Sequence, residues 1–517
     1  MLAQTIEPLP PVTSTELELH SIRQRLAQQE AELSQLRSQL GTIDPTRSAA
    51  SPLANDTTTE PVSFAEYTSI APSTASAEPA PYEIGSDKKL NANWNHGLEF
   101  KSEHGDFRMH VGGALNYDLV SFADDEPLEI APALGGIGPN PDSTQIRRAR
   151  VVMDGKFYEV IDFKMEYEFA NFLSPASPTA VQPVVSSPAF TDMWLQWTHL
   201  PILGNVRVGS QKEPLGMEHL MSFKFTDFME RSYLQDIAFG PYNNGFAPGI
   251  SALDLSEDGR WTWAAGIFGN NSDPFGYSIG DDWAITGRTT YLLYYDEPSE
   301  GRYLWEAGIS GSVRKPDEGL VRLRTRGNIR SGPPGVLNPI FADTGNMEAE
   351  RENILSFETA YQAGPWSIEA EYAGILATDV VQPFTPQAAR VDRGDPLFHG
   401  GYVQAMYFLT GEHRSYSKPL AALDRVIPNE NFFRVQSGAG ICQGSGAWQL
   451  GLRYSGMDLN DNGINGGILH SGTLGLNWFL NPNAKVQFNY DLTHRSAVGQ
   501  ALAGYINGFG TRIAFDF

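Results

Sequence analysis

Residues 206–231 combine basic side chains with large apolar ones in a way that an exposed loop would not tolerate. The stretch begins as an alternating strand, stops alternating at Pro214 and continues without a regular period. In an exposed loop its phenylalanines and methionines would be left in water. We therefore predict a loop that folds inward against a wall, with its apolar side packed and its basic groups facing a water-filled space. These basic groups are Lys212, His219, Lys224 and Arg231.

A second set of basic residues consists of four closely spaced arginines: Arg322, Arg324, Arg326 and Arg330. Residues two apart in a strand share a face, so the first three would form a column of guanidinium groups. Such a column repels itself in water unless an anion accepts several charge-assisted hydrogen bonds from it. The alternative is a solvated loop edge paired with nearby carboxylates, and spacing alone does not decide between the two.

The composition excludes several functional classes. The 517 residues are 41% hydrophobic and include 51 glycines, as expected for a large folded domain with extensions. No run of about 18 apolar residues would form a spanning helix, although the strands of a spanning barrel would escape that test. A net charge of −24 argues against nucleic-acid binding. With one cysteine and no phosphate loop, serine elbow or zinc helix, the sequence predicts no enzyme, no cofactor and no metal site.

The N-terminal part of the chain divides into two segments. Residues 1–45 carry apolar side chains at heptad spacing from Leu19 to Leu40, which predicts a short coiled coil; an amphipathic helix on a globular surface is the alternative. Residues 46–90 are rich in Ser, Thr, Ala and Pro, which predicts a disordered linker. The first residues do not resemble a secretory signal, so we expect that an exported form either lost its signal or begins upstream.

Residues 91–517 read as strands separated by turns. In 162–170 and 485–492, aromatic and aliphatic side chains alternate with charged and amide ones. A water-soluble sandwich buries such aromatics in its core, whereas a membrane barrel places them outside and its charges inside. The last strand ends on Phe517, which resembles the assembly signal of bacterial outer-membrane proteins. We predict an all-β fold, a transmembrane antiparallel β-barrel in the bacterial outer membrane.

The length of this region limits the size of the barrel. Divided among 16 strands, it leaves about 27 residues for each strand and its connection, which suits strands of about 10 residues; eighteen strands would also fit. A barrel of this size is too wide for its own side chains to fill. Its lumen therefore holds water unless a loop enters it, and residues 206–231 are the predicted constriction loop.

Residues 146–517 resemble the phosphate- and polyphosphate-selective porins, a family of trimeric outer-membrane channels with 16 strands. The resemblance implies an inward loop, a central anion site and a ladder of arginines. The motifs that carry it run in order along the chain: RRARVVMDGKFYEVIDFKMEYEFA at 147–170, FTDMWLQW at 190–197, GSQKEPLGMEHLMSFKFTDFMERS at 209–232, VRLRTRGNIR at 321–330, DTGN at 343–346 and LTGEHRSY at 409–416.

The resemblance also implies roles for particular residues. Arg231 and Ser222 match the anion-contacting residues of the loop, and Asp192 matches the acidic residue opposite. The set of anion-binding candidates implied in this way, with the other cations of the loop, is Arg147, Arg148, Asp192, His219, Ser222, Lys224, Arg231, Arg322, Arg324, Arg326 and Arg330. Within it, Arg147 and Arg148 match a wall pair, and the last four match the ladder.

Two positions depart from the family pattern. His219 replaces a lysine, and Phe223 replaces the second of two adjacent serines. A histidine of ordinary pKa is mostly neutral at pH 7, so the site loses a fixed charge, and we expect phosphate specificity to weaken while anion preference survives. If His219 lies beside the anion path, phosphate block should strengthen as the pH falls.

Two functions from different classes remain. The first is a passive outer-membrane channel for small anions, with phosphate or other oxyanions as candidates. The second is a structural anchor whose coiled coil tethers the outer membrane to another layer of the envelope. The expected partners are small anions, outer-membrane lipid, two further copies of the chain in a homotrimer, and the barrel-assembly machinery acting through the last strand.

Overall fold

The computed structural model describes residues 82–173, 186–240, 245–269, 282–332, 338–383, 390–437 and 440–517. The predicted coiled coil at 1–45 and residues 46–81 of the predicted linker at 46–90 lie outside these residues, so both stay predictions. Among the described helices, none is long and apolar enough to cross a membrane.

Sixteen strands form a closed antiparallel β-barrel. Each strand pairs with the next along the chain, and the last pairs with the first through contacts such as Arg512 opposite Asp118. The all-β barrel and the count of 16 strands rather than 18 are therefore confirmed. The strands are β1 (Phe107–Asp124), β2 (Ser143–Phe157), β3 (Ile161–Leu173), β4 (Ser186–Leu200), β5 (Gly204–Lys212), β6 (Phe246–Leu255), β7 (Trp261–Phe268), β8 (Trp283–Tyr295), β9 (Tyr303–Lys315), β10 (Arg351–Ala363), β11 (Trp366–Thr378), β12 (Leu397–Phe408), β13 (Ala447–Asp461), β14 (Ile464–Asn481), β15 (Ala484–Arg495) and β16 (Gly504–Asp516).

Short elements surround the barrel. The strands Leu90–Trp94 and Leu98–Ser102 form a hairpin that pairs with the start of β1. The connections contain the short strands Leu320–Val321, Arg324–Thr325, Ala342–Asp343, Met347–Glu348, Val380–Gln382, Val391–Gly394, Arg414–Ser417, Ala422–Val426, Phe433–Ser437 and Gly440–Gly444. The helical turns are α1 (Met217–Leu220), the π-helical turn Gln235–Phe239 and the 3₁₀ turns Glu126–Glu129, Pro132–Leu134, Glu297–Ser299 and Asp317–Gly319.

The two faces of the barrel wall differ as the alternation predicts. In β11, Ile368 and Tyr372 lie on the outer face and are 42% and 52% exposed, whereas Glu369 and Glu371 between them are buried on the inner face. Successive side chains of a strand point to opposite sides of the sheet, so one sequence period produces an apolar exterior and a charged interior. The predicted inside-out polarity is confirmed.

Three connections fold into the lumen and bury the charges of its wall. Connections after odd-numbered strands lie at one end of the barrel and those after even-numbered strands at the other. The constriction loop (213–245, after β5) and the arginine loop (316–350, after β9) enter from the first end. The turn-side segment (409–446, after β12) enters from the second end, where the guanidinium of its Arg414 contacts Asp227 of the constriction loop at 2.6 Å. The predicted inward constriction loop is confirmed.

The constriction loop is fixed to the far wall of the barrel. The backbone N–H groups of Met217 and Glu218, in the first turn of α1, donate to the carboxylate of Glu371 in β11. Further along the loop, the N–H of Met229 donates to Asn489 Oδ1 at 2.8 Å. Because α1 begins there with unpaired N–H groups, a carboxylate at that point satisfies two donors that the helix leaves free.

Candidate functional site

A cavity of about 310 Å³ lies between the constriction loop and the inner faces of β2 to β6. We call these inner faces the basic wall. Among the described residues that line the cavity, eight side chains are cationic and three are carboxylates: Glu166, Asp192 and Glu230. The cations are Arg147, Arg148, Arg150, Lys164, Arg207, Lys212, Arg231 and Arg330. The lining is strongly positive although the whole chain carries a net charge of −24.

A β-bulge in β2 directs two consecutive arginines into the lumen. Asn116 of β1 pairs with Arg148, but its neighbour Tyr117 pairs with Ile146, so Arg147 is the extra residue. In a regular strand Arg147 and Arg148 would point to opposite faces, and one guanidinium would enter the membrane. The bulge brings both predicted wall arginines to the cavity.

Several cations of the basic wall are compensated by carboxylates on the neighbouring strands. Arg150 pairs with Glu166 and with Glu168, the latter at 2.7 Å. The ammonium group of Lys164 lies 2.6 Å from Asp192. The predicted acidic residue Asp192 therefore lines the cavity, where its carboxylate holds Lys164 and accepts a hydrogen bond from the Trp194 indole at 3.1 Å.

Arg231 and Lys212 hydrogen-bond to neutral partners, and neither makes a direct ion pair with a carboxylate among the described residues. Arg231 donates to the backbone oxygens of Glu218 and Met221 at 2.7 and 2.6 Å. Lys212 donates to the backbone oxygens of His219 and Met221 at 2.5 and 3.1 Å. A carbonyl oxygen satisfies a donor and fixes its direction but carries no formal charge to cancel the cation.

Arg207 of β5 is a third cation of this kind, and the sequence interpretation did not select it. Its guanidinium donates to the neutral oxygen Gln196 Oε1 at 3.0 and 2.8 Å and lies 4.0 Å from the centre of the Trp194 ring. Stacking on an aromatic face favours the cation without neutralising it. The alternation of 206–211 was the available signal, because it placed Arg207 on the same face as Gly209 and Gln211.

At the tip of the constriction loop, the consecutive residues Ser222, Phe223 and Lys224 have different surroundings. Ser222 lines the cavity. The ring of Phe223 packs against Arg148 and Arg150, with distances of 5.0 and 4.5 Å from the guanidinium carbon to the ring centre. Lys224 instead lines a smaller pocket of about 20 Å³ on the turn-side face of the loop.

His219 lies inside the constriction loop rather than on its surface. Its side chain is 1% exposed, and Nδ1 lies 3.0 Å from Gln235 Oε1. Burial, together with the nearby charges of Lys212 and Arg231, holds the pKa of His219 well below its ordinary value. His219 is not among the residues that line the cavity. The structure therefore provides no basis for a charge that appears at this position between pH 7.5 and 5.5.

The four arginines of the arginine loop do not form a continuous column. Leu320–Val321 and Arg324–Thr325 are separate two-residue strands. Arg322 makes a bidentate pair with Asp343 at 2.9 and 2.5 Å, and both Arg326 and Arg330 pair with Asp236, at 3.0 and 3.1 Å. Arg324 is half-buried and has no carboxylate within ion-pair distance in the described part of the chain. Pairing with carboxylates therefore describes three of the four arginines, and only Arg330 reaches the cavity.

Sequence reasoning missed two carboxylates of the constriction loop. Glu230 is buried among Arg147, Arg330 and Arg512, and Asp236 holds Arg326 and Arg330. Glu230 is adjacent in sequence to the selected Arg231, but its partners come from three distant segments of the chain. No spacing rule within the loop indicates these contacts.

These features together define the class of protein. A closed barrel of 16 strands with an apolar exterior, a charged lumen and an inward loop is a porin of the bacterial outer membrane. The family model described as "Phosphate-selective porin O and P" matches residues 133–517, and the chain belongs to this family.

The similarity to individual proteins is distant. The chain is 25% identical over 514 residues to an uncharacterized protein of Caulobacter vibrioides, covering 97% of this chain and 90% of that protein. It is 21% identical over 422 residues to Porin O of Pseudomonas aeruginosa, covering 76% and 84%. Among solved structures, the outer-membrane channel DcaP of Acinetobacter baumannii is 11% identical with a TM-score of 0.45, covering 81% of this chain and 99% of that chain. An anion-selective porin from Comamonas acidovorans is 11% identical with a TM-score of 0.42, covering 80% and 100%.

Proposed function

We propose that this porin is a passive channel that prefers small anions, with oxyanions such as phosphate as its ligand class. The observation that carries the proposal is a pair of guanidinium groups at the cavity whose hydrogen-bond partners are neutral, those of Arg207 and Arg231. Fixed positive charge in a narrow, partly dehydrated passage attracts anions and raises the energy of cations. The solute gradient alone drives transport.

The geometry of the constriction loop supports a binding step within the passage. The loop sets Ser222 and Arg231 on one side of the cavity and the basic wall on the other, so a bound anion is contacted from two sides. A guanidinium offers several N–H donors in one plane, which suits the oxygens of a tetrahedral or carboxylate anion. Conduction also requires release, and the carboxylates of Glu166 and Asp192 limit how tightly an anion is held.

Selectivity for phosphate over other oxyanions is expected to be weak. The family pattern has a lysine where this chain has His219, which is buried and neutral, and a serine where Phe223 packs over two guanidinium groups. The site thus has one charge and one hydroxyl donor fewer than the pattern. We expect phosphate and sulfate to block a chloride current with similar strength.

Ion conductance in a planar lipid bilayer tests the proposal. In a KCl gradient, the reversal potential of the purified protein should lie on the chloride side of zero. Sulfate added to one side should reduce the chloride current in a concentration-dependent manner. A current that prefers potassium, or one that sulfate does not reduce, would contradict the proposal.

Further associations belong to the same proposal. We expect a homotrimer in the outer membrane, assembled by the barrel-assembly machinery through β16. Phe517 continues the pairing of β16 with β1 through two backbone hydrogen bonds to Gly113, at 2.7 and 3.0 Å. The anchor hypothesis rests on residues 1–45, outside the described residues, and is not favoured.

A further inference from the structure

Glu230 of the constriction loop lies in an arrangement that resembles a bound anion. Its carboxylate accepts hydrogen bonds from Arg147 Nε and Nη2 at 2.8 and 2.9 Å and from Arg512 Nη2 at 3.0 Å. Arg330 Nε lies 3.8 Å away. The side chain of Glu230 is 4% exposed, and it borders the cavity. Three guanidinium groups from β2, β16 and the arginine loop therefore converge on one pair of oxygens.

The neighbouring ion pairs show which cation depends on this carboxylate. Arg512 also pairs with Asp118, with both distances 2.7 Å, and Arg330 also pairs with Asp236 at 3.1 Å. In the described part of the chain, Glu230 is the one carboxylate that pairs with Arg147. Loss of the Glu230 charge would therefore leave Arg147 without an ion-pair partner beside Arg148.

The surrounding guanidinium groups favour the ionised form of this carboxylate. Burial alone would raise its pKa, but the charges of Arg147, Arg330 and Arg512 outweigh burial and hold the pKa of Glu230 well below the usual range. An ionised group at the edge of an anion cavity has two effects. It occupies donors that an oxyanion would otherwise use, and it repels an anion in the cavity.

We propose that Glu230 is a tethered resident anion that fills a second oxyanion site of the channel and limits the affinity of the passage for its ligands. The vacated site would take a carboxylate or a tetrahedral oxyanion, because its donors are arranged around two oxygens. This inference rests on the anion preference proposed above. It explains how a lumen with so many guanidinium groups can still release what it binds.

Substitution of Glu230 by glutamine tests the inference, because the amide keeps the size of the side chain and removes its charge. We expect Glu230→Gln to lower the sulfate concentration that halves the chloride current by about tenfold, as for the loss of one repelling charge at short range in a partly hydrated site. Arg147→Gln should have the opposite effect, because it leaves Glu230 less compensated. The double variant Glu230→Gln/Arg147→Gln should return close to wild-type block.

A matched control removes the same charge from the same loop at a position away from the cavity. Glu213 pairs with Arg314 and accepts a hydrogen bond from Thr286 at 2.7 Å, and Glu213→Gln should keep wild-type block. Equal block in Glu230→Gln and Glu213→Gln would overturn the inference, as would a double variant that still behaves like Glu230→Gln. If Glu230→Gln does not assemble, Arg147→Gln provides the test. Sulfate block that is unchanged or stronger than in the wild type would then also overturn the inference. A wild-type channel without anion preference would instead refute the proposed function.

Discussion

The most direct test of the basic wall and loop is removal of the Arg231 charge. The guanidinium of Arg231 lines the cavity and donates to two backbone oxygens of its own loop, at 2.7 and 2.6 Å. Because neither hydrogen-bond partner is charged, Arg231→Gln removes a positive charge that makes no direct ion pair among the described residues. The expected result is weaker anion binding and a reversal potential displaced toward cations.

The magnitude follows from the position of the charge. Two unit charges 4 Å apart interact by about 1 kcal/mol in water and by about 4 kcal/mol at the intermediate dielectric near a protein surface. The cavity is walled by protein but hydrated, so we take roughly 1.4 kcal/mol, which corresponds to about tenfold weaker binding of a monovalent anion. Mobile ions screen this interaction over about 10 Å at 0.1 M salt, so the effect should grow as the salt concentration falls.

The assay is the reversal potential in a KCl gradient, combined with sulfate block of the chloride current. Arg231→Lys separates charge from geometry, because it keeps the cation but loses the planar fork, and it should stay closer to wild type than Arg231→Gln. Arg351→Gln is the control for total charge, since Arg351 is 54% exposed and does not line the cavity. If Arg231→Gln and Arg351→Gln both retain wild-type selectivity and block, the anion path does not pass Arg231 and the reasoning fails.

Four further predictions concern His219, the arginine loop and residues 1–45. Chloride selectivity should not change between pH 7.5 and 5.5, because His219 stays neutral in the fold. Because the pKa of His219 is lowered in the fold, the unfolded chain binds the proton first as the pH falls. The free energy of unfolding should therefore decrease below about pH 6.5, by up to about 1.4 kcal/mol per pH unit, and thermal unfolding should show a smaller decrease in His219→Gln. An equal decrease in the two proteins would contradict the burial of His219. Arg324→Gln should displace the reversal potential toward cations more than Arg322→Gln, because Arg322 is more exposed and better screened, and the reverse order would refute this. Deletion of residues 1–45 should lower the melting temperature of the trimer without abolishing channels, whereas unchanged melting would remove that role.

The alternation of apolar and polar side chains along the strands is sufficient to predict the barrel. A period of two is a local property of the chain, so the oily and wet faces of 162–170 and 485–492 could be assigned from the sequence alone. The mixture of basic and aromatic residues in 206–231 likewise required an inward loop, because no exposed conformation would keep its apolar groups dry. The fold class and the constriction loop follow from such local rules, whereas the length of the region left 16 and 18 strands open.

Only the tertiary structure decided which charges are compensated and which face the passage. The bulge at Arg147 sends a second arginine inward, His219 is enclosed by the loop that carries it, and Arg322 and Arg326 are neutralised by Asp343 and Asp236. Ion pairing depends on groups brought within about 4 Å by strands that are far apart in sequence, and Coulomb energies change steeply over that distance. Spacing along one segment reports which side chains share a face, but not what lies opposite them in the closed barrel.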